Sequence, residues 1–330
     1  MNSIPSKTLQ ISPSISSKYY YLNANSPDKP TFLFLHGFPS SAADFRPQLE
    51  HLTGRGYGVL APDLLGYGGT SKPEDHREYV WRSMSNHIAA ILDAEGLEKV
   101  MGVGHDLGSW FLSRLCHFYP SRFSGLVFLD AGYAAPGTMF DVEAINRLTK
   151  EATGEEMFRY WDFFTNDEGV AIMDRQVESV VSLLHASPGV MAANMGPRGR
   201  TREWVSAGRV AETHSFGGGD AWDYVYFREK VAMFQKGGWT GPTNWYKALR
   251  ENLSFEDEKD IEREIGVPVM VVGCGRDEMT NAGFQDQMTR PWAKAGYRFE
   301  VLDTGHWVML EDAEGTNRLL EEFVSTIARC

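Results

Sequence analysis

Apolar and polar positions follow two rhythms along the first 130 residues. Largely apolar runs occur at Thr31–Leu35, Tyr57–Ala61, Val100–Val103 and Phe123–Leu129, each followed within two residues by Gly, Pro or Asp. Runs this short with no polar face predict strands buried on both sides. Between them, Trp81–Glu95 and Leu107–Tyr119 carry apolar residues at helical spacing, with Ile88, Ile91 and Leu92 on one face. The alternation predicts a parallel sheet covered by helices.

The strand rhythm then stops. From about residue 133 to 255 the chain holds helical stretches, glycine-rich turns and many aromatics. Helices are expected at Glu155–Phe164, Gly169–His185 and Pro242–Arg250, the last with proline at a favoured early position. Asn194–Gly219, ending in three glycines, reads as a loop. The strand rhythm resumes at Val267–Val272 and Phe299–Leu302 and closes in a helix from about Asp312. The organisation expected is an α/β core made of residues 1–132 and 256–330. A mainly helical lid, residues 133–255, is inserted over one end of the sheet.

Composition narrows the partners. A formal net charge of −12 repels phosphate backbones and argues against nucleic acid. No apolar run approaches the ~20 residues of a membrane span. The N-terminal residues lack the apolar core of a signal peptide. Cys116, Cys274 and Cys330 are few and far apart, which suggests neither a disulfide framework nor a zinc site. The expected location is the cytoplasm.

Candidate chemistry begins where the strand Val100–Val103 runs into Gly104-His105-Asp106-Leu107-Gly108 and then a helix. A small-x-nucleophile-x-small turn between strand and helix is a nucleophile elbow, with Asp106 at its tip. Gly102-Val103-Gly104 with Gly108 has the wrong spacing for a dinucleotide fingerprint. After the first buried strand comes His36-Gly37-Phe38-Pro39. A loop in that place supplies one backbone N–H of an oxyanion hole, and the residue after the nucleophile supplies the other, so Phe38 and Leu107 are the candidate donors. Thr304-Gly305-His306-Trp307 follows the last strand and offers His306 as a base. Two acids could orient it. Asp277 follows the strand Val267–Val272, and Asp130 follows Phe123–Leu129. Asp277 is favoured, and Asp130 stays open as the alternative.

These segments, with Pro62-Asp63-Leu64-Leu65-Gly66-Tyr67-Gly68, resemble the α/β-hydrolase-fold epoxide hydrolases over nearly the whole chain. Asn244-Trp245-Tyr246 looks like that family's motif around one of its two lid tyrosines, and Phe158-Arg159-Tyr160 resembles the segment around the other. The resemblance implies an acid role for Tyr246 and Tyr160. The nearby His36, Pro39, His105, Trp307 and Trp245 are expected to line the substrate pocket. One departure stands out: Leu107 occupies the place where the family usually has tryptophan.

A carboxylate nucleophile fits saturated carbon, because the ester it forms can be hydrolysed, whereas a serine would leave an inert ether. The implied reaction opens an epoxide to a vicinal diol through an ester on Asp106, which water activated by His306 then cleaves. No metal or organic cofactor is called for. The partners are a largely apolar epoxide and water, acting on a monomer or homodimer. Three alternatives are kept. A dehalogenase would use the same nucleophile, but the Leu107 side chain, unlike tryptophan, cannot donate to a halide and the nearest arginine after the elbow is Arg114. An ester or lactone hydrolase would use Asp106 as a base. A non-catalytic ligand receptor would not need the set intact.

Overall fold

The computed structural model describes residues 4–25, 28–212 and 220–327, with side chains of 220–224 excepted. Eight strands form one sheet: β1 (Ser6–Gln10), β2 (Ser16–Leu22), β3 (Thr31–Leu35), β4 (Gly58–Pro62), β5 (Val100–His105), β6 (Phe123–Leu129), β7 (Val269–Cys274) and β8 (Tyr297–Leu302). Their order is β1-β2-β4-β3-β5-β6-β7-β8, antiparallel at the β1 and β2 edge and parallel from β4 to β8.

The apolar runs are strands because both of their faces are covered. Leu33 and Leu35 of β3, Leu126 and Phe128 of β6, and Val269 and Val271 of β7 point into one core. That core holds the helices Trp81–Ala94 and Leu107–Phe118 and the apolar side chains of the helical block. Phe32, Phe34, Val127, Leu129, Met270 and Val272 point into a second core beneath Arg46–Gly54 and Ala313–Ile327. Period-two alternation is therefore present, but hidden in the sequence because neither face is polar.

Between β6 and β7 the chain is helical. Here several boundaries differ from expectation. The single helix expected over Gly169–His185 is two, Asp167–Arg175 and Val177–Leu184, broken at Gln176 with φ −123°. The helix expected from Glu155 is only Tyr160–Phe164. A helix at Val142–Thr153, capped by the Asp141 side chain and closed by Gly154 at φ 88°, was not anticipated. The expected loop from Asn194 contains the helix Arg200–Ser206; its terminal Gly217-Gly218-Gly219 lies outside the described residues, as does Cys330. The antiparallel pair β1 and β2 was also missed. β2 buries only alternate residues, and β1 is almost wholly exposed, so neither carries a dense apolar run. Among the described residues, no helix is long and apolar enough to cross a membrane.

Register brings the C-terminal ends of the central strands level. Leu35 pairs with Gly104, His105 with Leu129, Leu129 with Val272, and Cys274 with Leu302. Loops leaving five strands thus meet at one edge, where ligands of open α/β sheets bind.

The tightest approach at this edge involves Gly108. A Cβ there would lie 2.1 Å from the Leu35 carbonyl oxygen and 2.5 Å from that of His36. Gly108→Ala should therefore lower stability by about 1–3 kcal/mol, read as a drop in the urea midpoint. Gly54→Ala, which meets nothing within 4 Å, should be neutral or stabilising.

Candidate active site

β5 ends in a turn that places Asp106 at φ 53° and ψ −126°, a conformation an L-residue adopts only when its surroundings impose it. The neighbours impose it by crowding. A Cβ on Gly104 would sit 2.6 Å from the Gly108 carbonyl, and one on Gly37 would sit 2.2 Å from Asp106 Oδ1. The turn and the β3 loop can close on each other only because these positions are glycine. The result aims the Asp106 carboxylate at backbone donors. The Phe38 N–H donates to Asp106 Oδ1 at 2.8 Å, and the Leu107 N–H donates to the same carboxylate. Burial raises the Asp106 pKa, against the pull of His306 and both N–H groups.

His306 lies on the loop after β8. Its Nδ1 faces two carboxylates, Asp277 Oδ2 at 3.0 Å and Asp130 Oδ2 at 3.1 Å. Both acids named from the sequence are therefore present at the same ring. They differ in support. Asp277 Oδ1 accepts from the N–H groups of Met279 (2.7 Å) and Thr280 (3.1 Å), whereas no backbone N–H reaches Asp130. Nδ1 has one proton to give, and it is hydrogen-bonded to Asp277. Burial opposes charge on Asp277, but the His306 bond, the His306 charge and the two N–H groups outweigh it and hold its pKa low. Asp130, at φ 65°, is pushed up to about 7 by burial, only partly relieved by His306. Burial also opposes charge on His306, yet the two carboxylates hold its pKa well above the ordinary value.

The helical block supplies the roof. Tyr246 and Tyr160 have ring centroids 6.1 Å apart, and the Asp106 charge contributes to raising the pKa of both phenols, after burial. Phe38 sits beneath them, 4.9 Å from Tyr246, 5.0 Å from Phe164 and 5.8 Å from Trp239. Trp161 stands edge-on to Tyr246 at 4.6 Å. Phe164, Trp239 and Trp161 were not singled out from the sequence. Nothing in an aromatic-rich helical stretch marks which rings turn inward.

Other residues expected to line the pocket are engaged elsewhere. Trp245 Nε1 donates to the Leu65 carbonyl, and its ring packs on Trp81, Phe111 and Tyr67. Trp307 Nε1 donates to the Leu184 carbonyl, and its ring stacks on His185. His36 Nε2 accepts from the Leu64 N–H at 2.9 Å, which ties the β3 loop to the β4 loop. His105 is wholly buried beneath His306, with Nε2 at 2.8 Å from the His306 carbonyl. Pro39 presents its carbonyl to Lys230 at 3.4 Å. The rings of His105 and Trp307 also lie 4.9 and 5.0 Å from that of His306.

Among the described residues, His105, Asp130 and His306 bring ligand-type atoms within 4.8 Å of one another. A cation there would have to disrupt the hydrogen bond between His306 and Asp277.

The pattern that defines the alpha/beta hydrolase fold matches residues 30–313. The chain belongs to that family. Within it, the hydrolase is 30% identical to epoxide hydrolase srdG of Neurospora crassa, covering 94% of this chain and 93% of that protein. It is 26% identical to epoxide hydrolase B of Mycobacterium tuberculosis, covering 89% and 91%. Among solved structures, its fold is similar to an epoxide hydrolase from an endophytic Streptomyces (TM-score 0.82, 22% identity, 100% and 97% covered). It is also similar to epoxide hydrolase A of Mycobacterium thermoresistibile (TM-score 0.80, 23% identity, 97% and 98% covered).

The charge arrangement gives a direct test. The His306 ring of the hydrolase should remain protonated through neutral pH. Asp277→Asn should lower its pKa by roughly 1–3 units, followed by the imidazole ¹⁵N shifts. An unchanged titration would remove Asp277 as the partner.

Proposed function

We propose that the chain hydrolyses an epoxide to a vicinal diol through a covalent ester on Asp106. The observation that carries this reading is a carboxylate, in place of a hydroxyl or thiol, at the elbow, with one oxygen already held by the Phe38 N–H at 2.8 Å. The epoxide-hydrolase relatives, which match 94% and 89% of the chain, support an epoxide as substrate.

With Oδ1 held, the other Asp106 oxygen is the one available for attack on a ring carbon. Tyr246 and Tyr160, from the lid, donate to the epoxide oxygen and one of them passes its proton to the opening alkoxide. Burial pushes both phenols up, so both remain protonated donors at neutral pH. The ester removes the Asp106 charge, which leaves His306 with one stabilising anion fewer. The ring then gives up its Nε2 proton more readily, which by way of solvent restores the phenol that ring opening deprotonated, and it takes a proton from the attacking water, with Nδ1 held by Asp277 and Asp130 beside it as a second acid. The hydroxide attacks the Asp106 carbonyl, and the N–H groups of Phe38 and Leu107 bind the oxyanion, each worth ~2.7–4 kcal/mol. Collapse breaks the ester C–O bond, the proton that His306 took from water passes to the leaving alkoxide, and the diol departs with the Asp106 carboxylate restored.

The reading is tested by a single turnover of a reporter epoxide in ¹⁸O water. The first diol should carry ¹⁶O from Asp106, with label retained in the protein. Labelled diol in that first turnover would sink the ester. Asp106→Ala should abolish turnover, and His306→Gln should accumulate the ester, visible as added mass. Tyr246→Phe should slow ring opening by roughly 10²–10⁴-fold while leaving decay of a preformed ester unchanged.

The two half-reactions should also separate with pH. The raised Asp106 pKa means that its protonated form persists to higher pH than for an ordinary carboxyl group. Ester formation should therefore be lost on acidification before an exposed aspartate would titrate. Ester decay needs neutral His306 and should rise with pH. A rapid-quench pH series in which both steps share one profile would contradict this division.

A further inference from the structure

The loop that presents the Phe38 N–H is gripped from three directions. His36 ties it to Leu64, and the Ala42 N–H donates to Asp63 Oδ1 at 3.1 Å. Both of these anchors lie in the sheet half of the molecule. The third comes from the helical block. Lys230, on the helix Asp220–Gly237, is 3% exposed and reaches down beside the loop. Its ammonium pairs with Asp44, which is completely buried, and points at the Pro39 carbonyl 3.4 Å away. Asp44 also accepts from the Ser40 hydroxyl. Pro39 and Ser40 are the two residues directly after Phe38. The Tyr226 ring lies 5.4 Å from the same ammonium.

A fully buried ion pair is a poor source of stability, because desolvating both charges offsets most of their attraction. Two apolar side chains would close the same gap at least as well. What a buried pair does supply is a directional constraint. Here the constraint joins the helical block to the two residues behind an oxyanion donor.

We propose that Lys230 is a positioning residue for the oxyanion hole: acting on the Pro39 carbonyl and, through Asp44, on Ser40, it sets the loop that aims the Phe38 N–H at Asp106. The helical block then does more than roof the substrate. Its seating on the sheet also tunes the donor that the ester needs for hydrolysis. This rests on the reading of Asp106 as a nucleophile whose ester decays through that hole.

The hole acts unequally on the two half-reactions. During ring opening, charge leaves the Asp106 carboxylate, so its donors have little to stabilise in the transition state. During ester hydrolysis, charge develops on the carbonyl oxygen, where the donors are needed. Loss of positioning should therefore slow ester decay and spare ester formation.

The test uses the full chain, with Lys230→Met, Lys230→Arg and the double variant Lys230→Met/Asp44→Asn, the last leaving no unpaired buried charge. Both steps are followed by rapid quench with a reporter epoxide, and melting temperature is recorded alongside. The double variant should melt near the parent protein but lose about 10–100-fold in ester decay, with ester formation within about twofold. Lys230→Arg should recover part of the decay rate. Parental decay in the double variant would overturn the proposal, as would equal loss in both steps. If the parent protein forms no ester at all, the nucleophile reading fails and the proposed role of Lys230 falls with it.

Discussion

The site depends on one crowded closure. The β3 loop and the elbow after β5 approach so closely that a Cβ at Gly37, Gly104 or Gly108 would fall between 2.1 and 2.6 Å from another atom. That closeness forces Asp106 into a left-handed backbone conformation and at the same time brings its carboxylate onto the Phe38 N–H. Strain and hydrogen bonding have a common origin here. Relieving the first would release the second, and the carboxylate would no longer be held with one oxygen fixed.

Around this closure, charge is distributed by the hydrogen bonds and charges that oppose a shared burial penalty. Asp277 and Asp130 are equally hidden from solvent as side chains and almost equally far from His306 Nδ1. The N–H groups of Met279 and Thr280 reach one of them and not the other. The His306 bond and charge, with these donors, keep Asp277 acidic, while burial and the Asp277 charge push Asp130 up to about 7. A ring flanked by one firm anion and one soft acid has a basicity that depends on the state of its neighbours. Under the proposed mechanism, that dependence lets His306 lose its proton once Asp106 is an ester and no longer an anion.

The elements most legible in the sequence were those whose signal is local. The runs at Thr31–Leu35 and Phe123–Leu129 are strands with those same limits. The elbow could be read because its glycines follow from steric crowding that any chain making this turn must satisfy. The elements that were not legible depend on remote contacts. β1 is exposed except at Leu9 and is a strand only because β2 pairs with it. Trp245 was read as facing the pocket; its direction is set by the Leu65 carbonyl, 180 residues away in the chain. Asp44 and Lys230 give no warning as isolated charges, since most such residues sit on a solvated face.

The sequence by itself determined the order of buried strands, the turn at which Asp106 stands, and the two acids and one histidine able to serve it. These are consequences of apolar run length and of glycine spacing, which act over a few residues. Only the tertiary structure decided that both acids meet the same nitrogen, that one of them keeps its charge, and which aromatic rings close over Phe38. It also decided that a lysine from the helical block reaches the loop that carries the Phe38 N–H. Those outcomes arise because parallel strands end level at one edge and bring five distant loops within hydrogen-bonding range, a distance that sequence separation does not encode.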